Sequence, residues 1–143
     1  MTIRTILAAK SGDVAVIEPA ATLQAAAQQM SERRVGALVV LGTERRVIGI
    51  LSERDIVRSI AKHGADGLKL PVSQAMTREV MTCTEEETIG GVMSRMTEGR
   101  FRHLPVVHNE AMVGIVSIGD VVKFRVGEME TESEALRDYI RTA

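Results

Sequence analysis

Two short stretches decide the fold of this chain: Gly49-Ile-Leu-Ser-Glu-Arg-Asp55 and Gly114-Ile-Val-Ser-Ile-Gly-Asp120. Each runs from small and apolar residues to a serine, and an aspartate follows three positions later. The apolar beginning is typical of a strand, and the serine and aspartate are typical of a capping box that opens a helix. The sequence therefore predicts the same strand-to-helix junction twice.

The two stretches belong to an internal repeat. At an offset of 66 residues, Val14 falls on Val80 and Thr22 falls on Thr88. After one residue drops out of a loop, the offset becomes 65, and the two stretches quoted above align. Twelve aligned pairs are identical over the repeat. Self-similarity at a fixed offset predicts two copies of one structural unit.

Each copy is predicted to fold as β-α-β-β-α, in about 60 residues. A unit of this size buries little apolar surface alone, so we expect the two copies to share a core. The predicted first strands are Val14–Ile17 and Val80–Cys83, the first helices open at Thr22 and Thr88, the hairpins are Ala37–Leu41 with Val47–Leu51 and His103–Val107 with Met112–Val116, and the second helices begin at Ser52 and Ser117.

The chain divides into three predicted parts: a first repeat at residues 4–66, a second at 72–127 and a helical tail at 128–143. Two glycines and a proline in Gly64–Pro71 mark the link between the repeats. In the tail, Leu136, Tyr139 and Ile140 are spaced to form one apolar helix face. We predict that this face either docks on its own chain or contacts a partner.

Composition excludes several classes of protein. The 143 residues carry 18 basic and 19 acidic side chains, a net charge of −1, which gives no general attraction to nucleic acid or to an anionic membrane. Aromatic residues make up only 2% of the chain, so bases have little to stack on. No apolar run approaches the length of a membrane span. We expect a cytoplasmic protein with neither a membrane nor a nucleic-acid partner.

The sequence predicts no catalytic residues, no metal site and no catalytic cofactor. Cys83 is the only cysteine, and it has no cysteine or histidine at metal-binding spacing. We interpret it as a buried, inert thiol. The motifs of serine hydrolases, phosphate-binding loops and zinc proteases are missing from the sequence.

The repeated serines and aspartates allow two interpretations. As helix caps, Ser52 with Asp55 and Ser117 with Asp120 satisfy free N–H groups at a helix start. As ligand-binding groups, the same carboxylates accept hydrogen bonds from the paired hydroxyls of a ribose and repel phosphate.

The second repeat adds a cluster suited to phosphate. Arg100, Arg102 and His103 lie within four positions, and guanidinium groups form charge-assisted hydrogen bonds with phosphate. The alternative is a solvated charged edge. The first repeat has Arg34 and Gly36–Ala37 at the matching positions, so the two sites are not equivalent.

The motifs GALVV and GILSERD, with RHLPVV and GIVSIGD in the second copy, resemble a tandem CBS-domain pair of the small stand-alone type. The family is named for the regulatory region of cystathionine β-synthase, and the resemblance covers residues 4–127. It implies an α/β (α+β) fold of two β-α-β-β-α repeats packed with pseudo-twofold symmetry. It also implies clefts between the repeats that accept AMP, ADP, ATP, NAD(H) or S-adenosylmethionine.

The resemblance implies a role for each candidate nucleotide-binding residue. Asp55 and Asp120 would hold ribose hydroxyls, with Ser52 and Ser117 beside them. The adenine would be flanked by Val14 and Ala15 in one cleft and by Met76, Thr77, Val80 and Met81 in the other, and phosphate would face Arg100, Arg102 and His103, with Lys10 as a further cation.

The implied function is that of a non-catalytic sensor. A bound adenine nucleotide would shift the packing or dimer geometry of the module, which a client protein then reads. We expect a homodimer formed through the apolar helix faces at Asp55–Ile60 and Asp120–Phe124. The alternative is a protein-interaction scaffold that binds no nucleotide and uses its serines and aspartates only as helix caps.

Overall fold

The computed structural model describes residues 1–10 and 14–142. Helices and strands are mixed along the chain, which confirms the predicted α+β class. The helices are α1 (Ile3–Ala9), α2 (Leu23–Arg33), α3 (Glu53–His63), α4 (Val72–Ala75), α5 (Ile89–Gly99) and α6 (Ile118–Thr142), and the strands are β1 (Val16–Ile17), β2 (Ala37–Leu41), β3 (Val47–Ser52), β4 (His103–His108) and β5 (Ala111–Ser117). Two 3₁₀ turns lie at Thr43–Arg45 and Gly64–Lys69.

The described residues form two compact units. Unit 1 contains residues 1–10, 82–108 and 113–142, and unit 2 contains residues 14–81 and 109–112. Unit 1 therefore joins the body of the second repeat to the first residues of the chain.

Helix α1 belongs to unit 1 because its apolar side chains are buried there. Ile3 and Ile6 are completely buried within the core of unit 1. The Ile3 N–H also donates to the carbonyl of Glu87 at 3.0 Å. The predicted boundary at residue 4 assigns most of α1 to the first repeat, whereas the core that buries its apolar face belongs to the second.

Unit 2 contains a three-stranded sheet in the order β1-β2-β3. Strand β1 runs parallel to β2, with Val16 opposite Val39, and β2 pairs antiparallel with β3, with Val39 opposite Ile50. The predicted first strand, Val14–Ile17, is shorter in the structure because only Val16–Ile17 pairs with β2.

Unit 1 contains a two-stranded sheet formed by β4 and β5. The predicted strand at Val80–Cys83 is wrong: an isolated parallel bridge between Cys83 and Val106 is formed there. The Cys83 N–H donates to Pro105, and the Val107 N–H donates to Cys83, so pairing with β4 is limited to this one position.

Twenty of the 22 buried apolar side chains of the described residues fall into two clusters, one in each unit, and Val39 and Met112 belong to neither. The helix starts were predicted correctly, because the hydroxyl of Thr22 accepts from Ala25 and that of Thr88 accepts from Gly91. The cluster of unit 1 contains Ile3, Ile6, Cys83, Ile89, Val92, Met96, Leu104, Val106, Val116 and Val121, and that of unit 2 contains Ile17, Leu23, Ala26, Met30, Leu38, Val40, Leu51, Ile56, Val72 and Met76.

Helix α6 is one helix of 25 residues, and the predicted separate tail at 128–143 is its continuation, Ala143 lying outside the described residues. Gly127 does not end the helix, because its backbone does not adopt the left-handed conformation of a glycine cap. Leu136, Tyr139 and Ile140 are all largely exposed, so they do not dock on the described part of the chain. Within residues 1–10 and 14–142, no helix has the length and apolar character needed to cross a membrane.

Candidate functional site

Ser117 and Asp120 form a reciprocal cap where β5 meets α6. The Asp120 N–H donates to the Ser117 hydroxyl at 3.1 Å, and the Ser117 N–H donates to Oδ2 of Asp120 at 3.1 Å. The predicted capping role is therefore present. Because the cap uses one carboxylate oxygen, it also fixes the Asp120 side chain in place.

Lys10 approaches the same carboxylate from the end of α1. Its Nζ donates to Oδ2 of Asp120 at 2.7 Å and to the carbonyl of Ile115 at 3.0 Å. The side chains of Lys10 and Asp120 are 33% and 29% exposed, so the pair is only partly shielded from water. Oδ1 of Asp120 receives no hydrogen bond from the described residues and can accept one from a ligand.

The charges around Asp120 set the ionisation of this cluster. Burial alone raises the pKa of Asp120, but hydrogen bonds from Lys10 and Ser117 and the lysine charge outweigh it, so the pKa lies below its ordinary value. The pKa of His103 is lowered by burial and by the positive charges of Lys10 and Arg102, against the opposing effect of Asp120. At neutral pH the cluster therefore combines an ionised carboxylate with a neutral imidazole.

The depressed pKa of Asp120 gives a testable pH dependence. Its contribution to stability is present above the unfolded-state pKa of about 3.9 and is lost as the pH falls through the lower folded-state pKa. We expect the loss of unfolding free energy in Asp120→Asn to be clear near pH 5 and to shrink as the pH falls toward 3. Urea unfolding of both proteins across this range measures the difference, and a difference unchanged at pH 3 would contradict the assignment.

Arg102 is held beside the Ser117–Asp120 cap by the backbone. The Ile118 N–H at the start of α6 donates to the carbonyl of Arg102 at 2.8 Å. Arg102 and Arg100 are both exposed, and neither side chain has an ion pair or hydrogen bond with another described residue. The structure thus keeps two unneutralised guanidinium groups on the short segment that leads into β4.

Arg100 ends α5 in the left-handed conformation, with φ of 58°. Arg34 ends α2 in the same way, with φ of 56°, at the equivalent position of the first repeat. This conformation costs an ordinary L-residue roughly 1 kcal/mol, and glycine adopts it without that cost. Both repeats therefore keep an arginine where backbone strain favours glycine.

Unit 2 has the equivalent cap, formed by Ser52 and Asp55, but this carboxylate is more buried and its neighbours differ. Oδ2 of Asp55 accepts from the N–H of Ser52 at 2.9 Å and from its hydroxyl at 3.1 Å. Asp55 is only 7% exposed, so little of its carboxylate is open to a ligand. The Glu53 N–H donates to the carbonyl of Gly36 at 3.0 Å, in the arrangement that Ile118 and Arg102 have in unit 1. In unit 2 a glycine thus stands in the place of Arg102 and an acidic residue in the place of Ile118, while Arg34 remains in the place of Arg100.

Met76 takes the place in unit 2 that Leu7 has in unit 1, because each packs on the glycine of the last strand, so the offset at this point is 69 residues. The position equivalent to Lys10 is therefore Glu79. Met76 is buried against Gly49, where an added Cβ would come within 2.6 Å of the sulfur. The asymmetry predicted from the arginines therefore extends to Lys10: unit 1 has a lysine at this position, whereas unit 2 has an acidic residue there.

The other predicted residues are distributed as follows. The backbone of Thr77 pairs with Ile50 through hydrogen bonds of 2.9 and 3.0 Å, and the carbonyl of Ala15 accepts from Val39. Met81 is exposed. The structure brings Lys10, Arg100, Arg102, His103, Ser117 and Asp120 into unit 1, and places Val14, Ala15, Ser52, Asp55, Met76, Thr77, Val80 and Met81 in unit 2.

Cys83 is buried, as predicted. Burial raises the pKa of Cys83 to about 12, with a further rise from Glu87 that the charge of Arg95 partly offsets. A thiol with this pKa stays protonated at neutral pH and is a poor nucleophile.

A groove in unit 2 was not predicted. It has a volume of about 580 Å³ and lies between α2 and α3. Val57, on the helix face that the sequence assigns to dimerisation, is 63% exposed at its edge. The sequence feature that could have indicated this groove is the helical spacing of small and apolar residues in α2 and α3. The groove is lined by Ala27, Met30, Ser31, Arg34, Val35, Gly36, Glu53, Ile56 and Val57.

Comparison with known proteins places these features in a family. The family model of the CBS domain matches residues 4–62 and again residues 72–127. A mitochondrial CBS domain-containing protein of Arabidopsis thaliana, CBSX3, is 39% identical over 124 residues, or 84% of this chain. The match spans 60% of that relative's length.

Solved structures show the same fold. A CBS-domain containing protein from Agrobacterium tumefaciens is 41% identical, with a TM-score of 0.77 over 87% of this chain and 92% of that one. A CBS-domain pair in complex with 5′-methylthioadenosine and S-adenosyl-L-methionine has a TM-score of 0.75 at 22% identity, over 90% of this chain and 98% of that one. At that identity the similarity shows the fold alone.

Proposed function

The chain belongs to the CBS-domain family, and from this premise we propose that it is a non-catalytic regulatory module that binds an adenosine-containing ligand. The ligand class is AMP, ADP, ATP or NAD(H), and the binding groups are those around Asp120 in unit 1. The observation that carries the proposal is the fixed, ionised carboxylate of Asp120, with one open oxygen, beside unneutralised cations.

The carboxylate suits a ribose. An ionised carboxylate only accepts hydrogen bonds, and a ribose hydroxyl can donate one. Oδ2 of Asp120 is held by Ser117 and Lys10, so a ribose hydroxyl donates to Oδ1. The side chain needs no rearrangement to accept this hydrogen bond, which favours binding.

The surrounding charges suit an anionic ligand. Lys10, Arg100 and Arg102 carry three positive charges against the one negative charge of Asp120. A phosphate lowers the energy of this arrangement, whereas the sulfonium of S-adenosylmethionine adds another positive charge. We therefore place adenine nucleotides ahead of S-adenosylmethionine for this chain.

Regulation follows from differential affinity. A ligand that binds one arrangement of the module more tightly shifts the population toward it by that difference in free energy. In the proposed mechanism the module is a homodimer, and a client protein reads the shift. The client recognises the module rather than the nucleotide.

The capping geometry favours a second candidate, a scaffold that binds no nucleotide. The cap in unit 2 uses both the N–H and the hydroxyl of Ser52, and Asp55 is buried, so helix capping fully accounts for this pair. If the pair in unit 1 has the same role, the module acts only through protein contacts.

Thermal unfolding with a panel of ligands separates the two candidates. The panel contains AMP, ADP, ATP, NAD⁺, NADH, adenosine and S-adenosylmethionine, with GMP and UMP as controls. A ligand at a hundredfold excess over its Kd adds about 2.7 kcal/mol to the stability of the folded state. We expect the melting temperature to rise by several degrees with the phosphate-bearing adenine compounds and less with S-adenosylmethionine.

A shift confined to adenosine compounds supports the sensor. No shift with any compound, in protein shown by its absorbance near 260 nm to carry no copurified nucleotide, favours the scaffold. An equal shift with GMP and UMP would contradict adenine recognition and leave only phosphate binding.

A further inference from the structure

The second half of α6 carries a regular apolar stripe. From residue 129 to residue 142 every side chain of the helix is exposed. The residues of the stripe are separated alternately by four and three positions, the spacing that defines a coiled-coil seam. The stripe consists of Val122, Val126, Met129, Ser133, Leu136 and Ile140.

We propose that this chain forms a homodimer through a parallel, two-stranded coiled coil made by α6 from Val126 to Ile140. A single helix of this length is only marginally stable in water, so an exposed segment gains stability from a partner. The occupant of the stripe is the same segment of a second copy. This inference is independent of nucleotide binding.

The residue types along the stripe favour two parallel strands. Val126 and Ile140 occupy a positions and are β-branched, whereas Met129 and Leu136 occupy d positions and are not. β-branched residues at a combined with leucine at d favour parallel dimers over larger assemblies. Ser133 is the one polar residue among the a positions of this segment.

The charged residues on either side of the stripe favour a second copy of the helix in the parallel orientation. In a parallel coiled coil, each g position faces the e position five residues further along the second copy. Arg125 then faces Glu130 of the second copy, and Glu132 faces Arg137 of the second copy. Both contacts join opposite charges, and each occurs twice in a symmetric dimer. Arg125 lies 2.9 Å from Glu128 and 4.0 Å from Glu132 of its own helix, whereas Arg137 has no ion pair with another described residue, so Arg137 is the better position for a test.

The same charges oppose the antiparallel arrangement. If the stripe paired with itself in the reverse direction, Glu132 would face Glu132 and Glu130 would face Glu130. Lys123 would face Arg137 of the second copy. Like charges at these positions are destabilising, so the sequence of the stripe selects the parallel dimer.

Charge reversal tests the pairing in the full-length chain. Glu132→Arg alone and Arg137→Glu alone each place like charges at the flanking contacts, and we expect each to raise the dimer dissociation constant about tenfold. The two variants mixed together restore opposite charges, so the mixture should dimerise as tightly as the wild type. Sedimentation equilibrium measures all three. A dimer strengthened by Arg137→Glu would overturn the parallel arrangement.

Cross-linking tests the seam even if another surface also holds the dimer together. Ser133→Cys places a thiol within the stripe. The matched control Glu134→Cys places one at the next residue, on the outer face of the helix. Cys83 is buried and does not compete. Under mild oxidation we expect an interchain disulfide to form several-fold faster in Ser133→Cys than in the control. Equal rates, or no cross-link in either, would overturn the proposal.

Discussion

Replacing Ile6 with alanine is expected to lower the free energy of unfolding by about 2 to 5 kcal/mol. Ile6 lies on a helix of only seven residues at the beginning of the chain, but its side chain is completely buried in the core of unit 1. Truncation removes buried methyl groups and leaves a cavity between elements that come from opposite ends of the sequence. Urea unfolding measures the loss.

Thr5→Ala is the matched control, because Thr5 is exposed on the same helix. We expect its effect to be within about 0.5 kcal/mol. Hydrogen exchange locates the damage: Ile6→Ala should accelerate exchange in α5 and β4 of unit 1 more than in β2 and β3 of unit 2. If Ile6→Ala behaves like the control, α1 does not contribute to the core of unit 1.

Local signals predicted most of the elements. Apolar runs gave the strands β2 to β5 within about one residue of their ends, and Thr22 and Thr88 marked the starts of α2 and α5 because a threonine cap is a local interaction. Helix α1 was missed as part of the second core, since periodicity does not show which distant residues bury a helix face. Gly127 misled the prediction of a boundary, because a glycine can be accommodated within a helix at a cost of about 1 kcal/mol.

The sequence predicted only those parts of the site that depend on residues close together in the chain or on the internal repeat. The spacing of Ser117 and Asp120 predicts their mutual hydrogen bonds, and the structure contains them. The ion pair of Lys10 with Asp120 joins residues 110 positions apart. No local rule connects them, because the contact depends on α1 packing into unit 1.

Replacing Asp120 with asparagine is expected to weaken AMP binding by about 10- to 100-fold, the result that most directly tests the site. Hydrogen bonds to a charged acceptor contribute about 1.5 to 3 kcal/mol, and the variant keeps an oxygen acceptor while removing the charge. The amide oxygen can still accept from the Ser117 N–H, so the cost in stability should be about 1 kcal/mol or less. Isothermal titration calorimetry with AMP measures the affinity.

Asp66→Asn is the control for the change of charge, because the Asp66 side chain is 85% exposed and pairs only with Lys69 among the described residues. AMP affinity should be unchanged in this variant. Lys10→Met, which removes the positive charge and keeps a long side chain, should weaken AMP more than adenosine, since the lysine acts on the phosphate. If Asp120→Asn binds AMP as the wild type does, Asp120 is a helix cap alone. The carboxylate that selects the ribose must then be sought elsewhere in the chain.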